Sequence, residues 1–181
     1  MEVRECIAGR RSIRRFLPEK VSREVLTQVV QETICAPSWK NTQTARYMVI
    51  ESEELKEYFA QECMMGHEGN KSIVRSCGAL VVQLMVKGLS GYEKNGFFST
   101  TKGPHWQSYD AGIAGQTFCL AAWDAGLGTV IMGIYDENKV KEKLKLPMEV
   151  DVAALIAVGY PEKVPQARPR LKVEEVLFWE N

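Results

Sequence analysis

The chain has 181 residues, which is enough for one well-packed domain and too few for two of ordinary size. Hydrophobic residues make up 45% of the sequence and charged residues 25%, a balance typical of a globular protein and not of a disordered one. Lysine plus arginine number 23, as do aspartate plus glutamate, so the formal net charge is zero. Nucleic-acid binders usually carry a basic excess, because neutralised phosphates supply much of their affinity. We therefore expect no nucleic-acid partner.

The hydropathy and cysteine patterns narrow the class further. No apolar run approaches the ~20 residues of a membrane span, and the first residues lack the apolar stretch of a secretory signal. Five cysteines are scattered without a CxxC pair, and neither of the two histidines lies at zinc-ligand spacing from a cysteine. We expect a cytoplasmic protein with reduced thiols, no metal and no membrane association.

The N-terminal region predicts two helices on either side of an arginine cluster. Residues 2–9 read as a short helix, and the apolar period over 21–34, with Ser22 as its cap and Pro37 beyond its end, predicts a longer one. Between them, RRSIRRF (10–16) contains four arginines: Arg10, Arg11, Arg14 and Arg15. Guanidinium groups this close repel one another. The cluster predicts either a solvated surface strip or a site for a small anion.

The middle of the chain predicts two strands and an unusual loop. Residues 45–52 and 79–86 read as strands, the second buried on both faces, and residues 53–76 as helical pieces. Residues 88–109 are rich in glycine and serine yet carry five aromatic residues. Either these residues pin a surface loop, or they form a lid over an apolar ligand, with the lid candidates being Phe97, Phe98, His105 and Trp106.

The C-terminal half predicts a buried helix, two strands and an extended tail. Small and apolar residues on nearly all sides of 109–126 indicate a helix buried either in the core or at a subunit interface. Strands are predicted over 127–134 and 152–160, with a helix over 136–146 between them. The whole chain, 1–181, is predicted to be one α/β or α+β domain whose tail, 161–181, must dock its terminal apolar residues somewhere.

No familiar nucleophile or nucleotide motif is present. In GLGTVIMG the glycines come before the strand, whereas in a dinucleotide-binding fingerprint they follow it. In GHEGNKS, Asn70 separates the glycine from the lysine and so interrupts the GK[ST] of a P-loop. There is no GxSxG, and no sequence pattern supports His67 or His105 as a catalytic base. Since no reactive side-chain set is evident, a cofactor is expected to carry the chemistry.

Four segments together resemble the FMN-dependent nitroreductase family. RRSIRRF is similar to the family's opening R-[RH]-S-x-[RK], and APSWKNTQ (36–43) to its A-P-S-x-x-N-x-Q. The stretch YDAGIAGQTFCLAAWDAGLGTVIMG resembles D-x-G-x-A followed by GLG and a later glycine, and AVGYPEKVPQARPR resembles the closing GYP with its spaced basic pair. The four occur in order over nearly the whole chain.

This resemblance implies that the awaited anion is the FMN phosphate. Arg10 and Ser12 match positions that hold the phosphate and ribityl chain, and Arg168 and Arg170 match the basic pair that returns to the same phosphate. Arg11 and Arg14 match positions at the polar edge of the flavin. Arg14 is the expected electrostatic stabiliser of the reduced ring, whereas Arg15 is expected at the surface.

The resemblance also assigns amide and backbone contacts to the ring. The residues that match a segment reaching the flavin from the partner subunit are Ser38, Asn41 and Gln43, although a simple capping turn is the alternative. Met132 and Gly133 match the strand end beside N5 and O4, and Asn70 corresponds weakly to a further contact. Trp39 and Lys40 stand where many relatives have small residues, so Trp39 is expected to narrow the substrate slot.

The implied fold is α+β, a mixed sheet flanked by helices, in a domain-extended homodimer with FMN at the interface and the tail of each chain wrapped over its partner. The implied activity is an NAD(P)H-dependent reduction of nitroaromatic, quinone or related conjugated acceptors by a ping-pong mechanism, with no catalytic side chain. A flavin-binding protein without turnover, having a sensory or storage role, is the alternative. A module that binds nucleic acid or an acidic partner through the arginines is the third hypothesis.

Overall fold

The computed structural model describes residues 2–180. The helices are α1 (Val3–Gly9), α2 (Arg23–Thr33), α3 (Glu53–Tyr58), α4 (Glu68–Ser76), α5 (His105–Asp124) and α6 (Glu137–Leu144). The strands are β1 (Ala45–Ile50), β2 (Ala79–Val86), β3 (Gly128–Met132) and β4 (Val150–Gly159). A π-helical turn, Phe59–Cys63, continues α3, and short 3-10 turns occur at Trp39–Asn41 and Val173–Glu175.

The four strands form one antiparallel sheet in the order β1-β2-β4-β3. Within residues 2–180, the one parallel pairing is an isolated bridge between Ser12 and Thr129 of β3. Apolar cores cover both faces of the sheet. Ile13, Phe59 and Leu155 belong to one core, and Val29 and Phe118, from α2 and α5, belong to the other. The α+β class is therefore confirmed.

The sequence periodicity located every helix and strand, with two differences at α5. This helix begins at His105 and not at 109, so His105 and Trp106 lie on its first turn and not in the preceding loop. Pro104 stands at the N-cap, where its missing N–H costs no hydrogen bond. The single chain does not bury the helix all round, since Ser108, Gly112 and Gln116 are exposed on one face. The small and apolar composition of α5 was explained by burial either in the core or at a subunit interface. The core of the single chain does not cover the face with Ser108, Gly112 and Gln116.

The arginine cluster is fixed on the outer edge of β3. Ile13 is fully buried, and its N–H donates to the Thr129 carbonyl at 2.9 Å. Close packing is possible because Gly128 has no side chain: a Cβ there would lie 2.5 Å from Cγ1 of Ile13. On either side of Ile13, Arg14 is exposed and Ser12 is half-buried, so neither residue belongs to the core that holds Ile13.

The C-terminal tail begins beside this cluster. Pro161 bridges to Phe16, and the Glu162 N–H donates to the Arg15 carbonyl at 3.1 Å. From residue 162 to 180 every residue is exposed, including Phe178 and Trp179, each 82% exposed. No helix between residues 2 and 180 is both long and apolar enough to cross a bilayer.

The Ile13–Gly128 contact gives a direct test of this placement. Gly128→Ala is expected to lower the free energy of unfolding of the flavin-free protein by about 1–3 kcal/mol, because the added methyl overpacks against Ile13. Urea unfolding measures the loss. Gly133→Ala, where a Cβ meets nothing within 4 Å, should stay within about 0.5 kcal/mol of the parent. A Gly128→Ala protein as stable as the parent would contradict the docking of the cluster on β3.

Candidate functional site

The arginines of the cluster carry positive charge that no carboxylate of the described residues balances in an ion pair. None of the ion pairs formed within residues 2–180 includes Arg10, Arg11, Arg14 or Arg15. Arg14 is exposed, and its Nη1 lies 3.4 Å from the Ser12 carbonyl. Guanidinium and hydroxyl groups are suitable donors for a phosphate, so the residues present fit an anionic group at this edge.

Arg10 faces α5, where its charge reaches two buried thiols. Burial raises the pKa of the Cys119 thiol, while a hydrogen bond with Thr129 and the Arg10 charge lower it in part. Burial also raises the pKa of Cys6, with Arg10 among the weaker opposing influences. The charge of Arg10 is therefore near the thiols of Cys6 on α1 and Cys119 on α5.

Arg11 has a local partner that the sequence did not indicate. Its Nη1 donates to the carbonyls of Ala8 at 2.7 Å and Arg10 at 2.9 Å, which satisfies backbone groups at the end of α1. Its Nε is buried and has no partner among the described residues. The predicted contact between Arg11 and the polar edge of a flavin stays a prediction.

The amide segment forms a tight turn of unusual backbone geometry, here called the amide turn (residues 38–43). Lys40, Asn41 and Gln43 have positive φ angles of 45°, 56° and 49°. Such conformations of non-glycine residues cost about 1–3 kcal/mol each and persist where surrounding contacts impose them. One such contact is internal, since the Ser38 Oγ accepts from the Gln43 N–H at 2.9 Å.

The other contact comes from Asp110, a residue that the sequence analysis quoted within a motif but did not assign to the site. Its carboxylate, only 5% exposed on α5, accepts from the Trp39 N–H at 2.9 Å and from the Ser90 hydroxyl at 2.6 Å. The signal that could have identified it was an acidic residue followed directly by the small and apolar run AGIAG, where a buried carboxylate must find donors.

Within one chain, the amide turn and the arginine cluster lie at opposite edges of the sheet. The turn leads directly into β1, while the cluster lies along the outer edge of β3. The strands β1 and β3 are three strand spacings apart, or about 14 Å. The single chain thus does not bring Ser38, Asn41 and Gln43 to the arginines.

The end of β3 does bring predicted residues together. Met132 is buried in the core, whereas Gly133 is exposed and leaves its backbone open to close approach. Asn70 lies beside this strand end, since its Nδ2 is 3.4 Å from the Ile134 carbonyl. Ile131, 47% exposed, borders a groove between β3, β4 and the N-terminal half of α5.

Residues 88–109, here called the aromatic segment, pack onto the amide turn. The rings of Trp39 and Trp106 lie 4.7 Å apart between centroids, and Lys102 lies 4.7 Å from the Trp106 ring. Lys40 pairs with Glu93 at 3.0 Å. Of the predicted lid residues, Trp106 is thus an anchor on α5, while Phe97 and Phe98 are 72% and 53% exposed.

The tail arginines have no described contact with the cluster. Arg168 and Arg170 are both exposed. The tail that carries them leaves the domain at Pro161, which bridges to Phe16 at the end of the arginine cluster. The tail therefore begins beside the cluster. Their predicted return to the phosphate stays a prediction.

Cys63 and Cys77 are buried thiols. Burial is the main cause that raises the pKa of Cys63 and of Cys77 to about 11, so these thiols remain protonated near neutral pH. No group of three or more potential metal ligands occurs within residues 2–180.

Comparisons with known proteins agree with this geometry. The model of the nitroreductase family matches residues 7–160. A protein of Methanothermobacter thermautotrophicus, whose name gives NADH dehydrogenase and NAD(P)H nitroreductase as alternatives, is 28% identical over 172 residues, covering 93% of this chain and 82% of its own length. An NADPH-flavin oxidoreductase of Vibrio harveyi is 26% identical over 185 residues, covering 96% of this chain and 71% of its own.

A solved structure shows the same fold with a bound flavin. A protein from Exiguobacterium sibiricum in complex with FMN superimposes with a TM-score of 0.84 at 22% identity, covering 99% of this chain and 98% of its own. Because the family model covers most of the sequence, this chain belongs to the nitroreductase family, and it is an oxidoreductase.

Proposed function

We propose that this protein binds FMN and uses NAD(P)H to reduce a small conjugated acceptor such as a nitroaromatic or a quinone. The observation that carries the proposal is the arginine cluster, whose guanidinium groups form no ion pair within residues 2–180. The cluster is held at the start of β3, and the open backbone of Gly133 follows the other end of that strand. The flavin oxidoreductase and the FMN complex among the relatives support the choice of cofactor.

The arginine cluster and the tail are proposed to bind the phosphate end of FMN. Arg10 and the Ser12 hydroxyl are proposed as its donors in the cluster, and Arg168 and Arg170 are proposed to add two more guanidinium groups from the tail. Bidentate hydrogen bonds between guanidinium and phosphate are strong, and a dianion removes the repulsion among the arginines.

Arg14 and the end of β3 are proposed to bind the isoalloxazine ring of FMN. Arg14 is proposed to place a positive charge near the pyrimidine edge of the ring, and Asn70 to offer its amide nearby. Met132 and Gly133 would present backbone where the absence of a side chain permits close approach. When bound, FMN supplies the hydride and electron transfer, and the protein orients it and excludes water.

The remaining polar contacts are proposed to come from a second copy of the chain. The amide turn lies at the opposite edge of the sheet from the cluster, so a partner is the natural source of its contacts with the ring. The exposed face of α5, the free edge of β1 and the exposed apolar tail all need covering, because such surfaces are rarely left open to water. A homodimer with exchanged tails covers them.

The substrate order is proposed to be ping-pong. NAD(P)H and the acceptor would occupy the same slot in succession, with Trp39, packed at an angle of 46° against Trp106, limiting its width. The alternative is a flavin-binding protein with no turnover, and the two differ in whether flavin-loaded protein oxidises NAD(P)H in the presence of a quinone or nitroaromatic.

The phosphate assignment is tested by arginine variants. Arg10→Ala and Arg170→Ala should each weaken FMN binding by about ten- to a hundredfold, because each removes a charge-assisted hydrogen bond to the phosphate. Flavin fluorescence titration of the flavin-free protein measures this.

Arg15→Ala is the matched control, since Arg15 is exposed and its expected effect on FMN affinity is below about twofold. The purified parent should be yellow and should bleach when NAD(P)H is added without oxygen. Colourless parent protein that ignores added FMN would refute the proposal, and full FMN affinity in Arg170→Ala would refute the role of the tail.

The dimer is tested by shortening the apolar tail. Phe178→Ala combined with Trp179→Ala should raise the dimer dissociation constant by at least about tenfold, because two large side chains lose their burial against the partner. Sedimentation velocity over a concentration series measures it. Met148→Ala, an 87% exposed residue in another loop, should leave the constant unchanged. A monomeric parent, or a double variant that dimerises as well as the parent, would contradict the exchange of tails.

A further inference from the structure

Asp110 is a buried carboxylate held by neutral donors. It lies on α5 with 5% exposure, and no ion pair within residues 2–180 includes it. Its Oδ2 accepts from the Trp39 N–H and from the hydroxyl of Ser90, which is itself fully buried. A buried carboxylate is unfavourable without such hydrogen bonds. Asp110 therefore fixes the Trp39 N–H and the Ser90 hydroxyl relative to α5.

The Trp39 bond reaches the amide turn at its first helical residue. Beyond Trp39 the backbone enters positive φ at Lys40 and Asn41, and again at Gln43. Within the turn, the Ser38–Gln43 hydrogen bond closes the loop but does not fix it to the domain. Asp110 supplies a backbone connection from α5, alongside the Trp39–Trp106 ring contact and the Lys40–Glu93 ion pair. This bond to the turn's first helical residue helps to set where its polar side chains point.

We propose that Asp110 is a positioning residue for the ring end of the flavin site. It holds the backbone of Trp39, and the amide turn then presents Ser38, Asn41 and Gln43 to the isoalloxazine ring. This inference rests on the proposed function. It implies that the two ends of FMN are held independently, with the phosphate end at the arginine cluster and the ring end at a turn that Asp110 fixes.

A neighbouring residue provides a matched control. Gln107, one turn earlier on α5 and 6% exposed, accepts from the Gly88 N–H at 2.6 Å through its Oε1. It is a buried polar residue that holds the same aromatic segment, and no described hydrogen bond joins it to the amide turn. A general loss of packing at the start of α5 should therefore affect Gln107→Ala and Asp110→Ala alike.

The experiment compares FMN with riboflavin, which has the same ring and no phosphate. Both ligands are titrated by fluorescence quenching into flavin-free parent, Asp110→Ala, Asp110→Asn, Gln107→Ala and Arg10→Ala proteins, with circular dichroism to verify folding. Asp110→Ala should weaken both ligands by the same factor, about tenfold, so the ratio of the two affinities stays at the parent value. Arg10→Ala should weaken FMN alone.

The conservative variant tests the hydrogen bond itself. The amide oxygen in Asp110→Asn can still accept from the Trp39 N–H, so both affinities should return to within about threefold of the parent. Gln107→Ala should stay within about twofold. Wild-type affinity for riboflavin in Asp110→Ala, or an equal loss in Gln107→Ala, would overturn the inference. Parent protein that binds neither ligand would instead overturn the proposed function.

A second pair of variants removes the donor and keeps Asp110 intact. Ser38, at φ −143° and ψ 162°, has the extended backbone that a following proline requires, so Trp39→Pro can fold while lacking the N–H. Trp39→Ala keeps the N–H and loses the same indole. Riboflavin should bind about tenfold more weakly to Trp39→Pro than to Trp39→Ala, and equal affinities would overturn the inference even if Asp110→Ala does not fold.

Discussion

The burial of Ile13 against Gly128 is the contact on which the arrangement of the site depends. It fixes the segment that carries the cluster to the edge of β3 and leaves Arg14 exposed and Ser12 half-buried, outside the core that holds Ile13. A hydrophobic interaction thereby orients a charged surface. Arginines placed without it would be a flexible basic strip and would have no fixed relation to the end of β3.

The sheet order then divides the polar groups into two sets. The arginine cluster lies beside β3, and the amide turn lies beside β1 at the other edge, where Asp110 holds it. In the proposed function, one flavin contacts both sets between two copies of the chain. The same arrangement explains why the tail and one face of α5 remain uncovered in a single chain: they are the surfaces that a partner would use.

Sequence periodicity and composition predicted the elements well, because buried strands and amphipathic helices have distinct apolar periods. The start of α5 was misplaced, since its first turn is polar and aromatic and resembles the loop before it. The arginine cluster was evident from spacing alone. The anchoring of Trp39 by Asp110 depends on a tertiary contact between residues 71 positions apart, which no local pattern encodes. The bonds of Arg11 to the end of α1 are local, but they depend on how the chain turns after that helix.

The central claim is that guanidinium groups hold a phosphate dianion, and phosphorus NMR of the bound cofactor tests it most directly. A free phosphate monoester takes up its second proton near pH 6. Positive charge around it favours the dianion and lowers that pKa. The account predicts that the phosphorus chemical shift of bound FMN stays constant between pH 7 and about pH 5, while that of free FMN changes over the same range. A bound phosphate that titrates near pH 6, as the free one does, would contradict it.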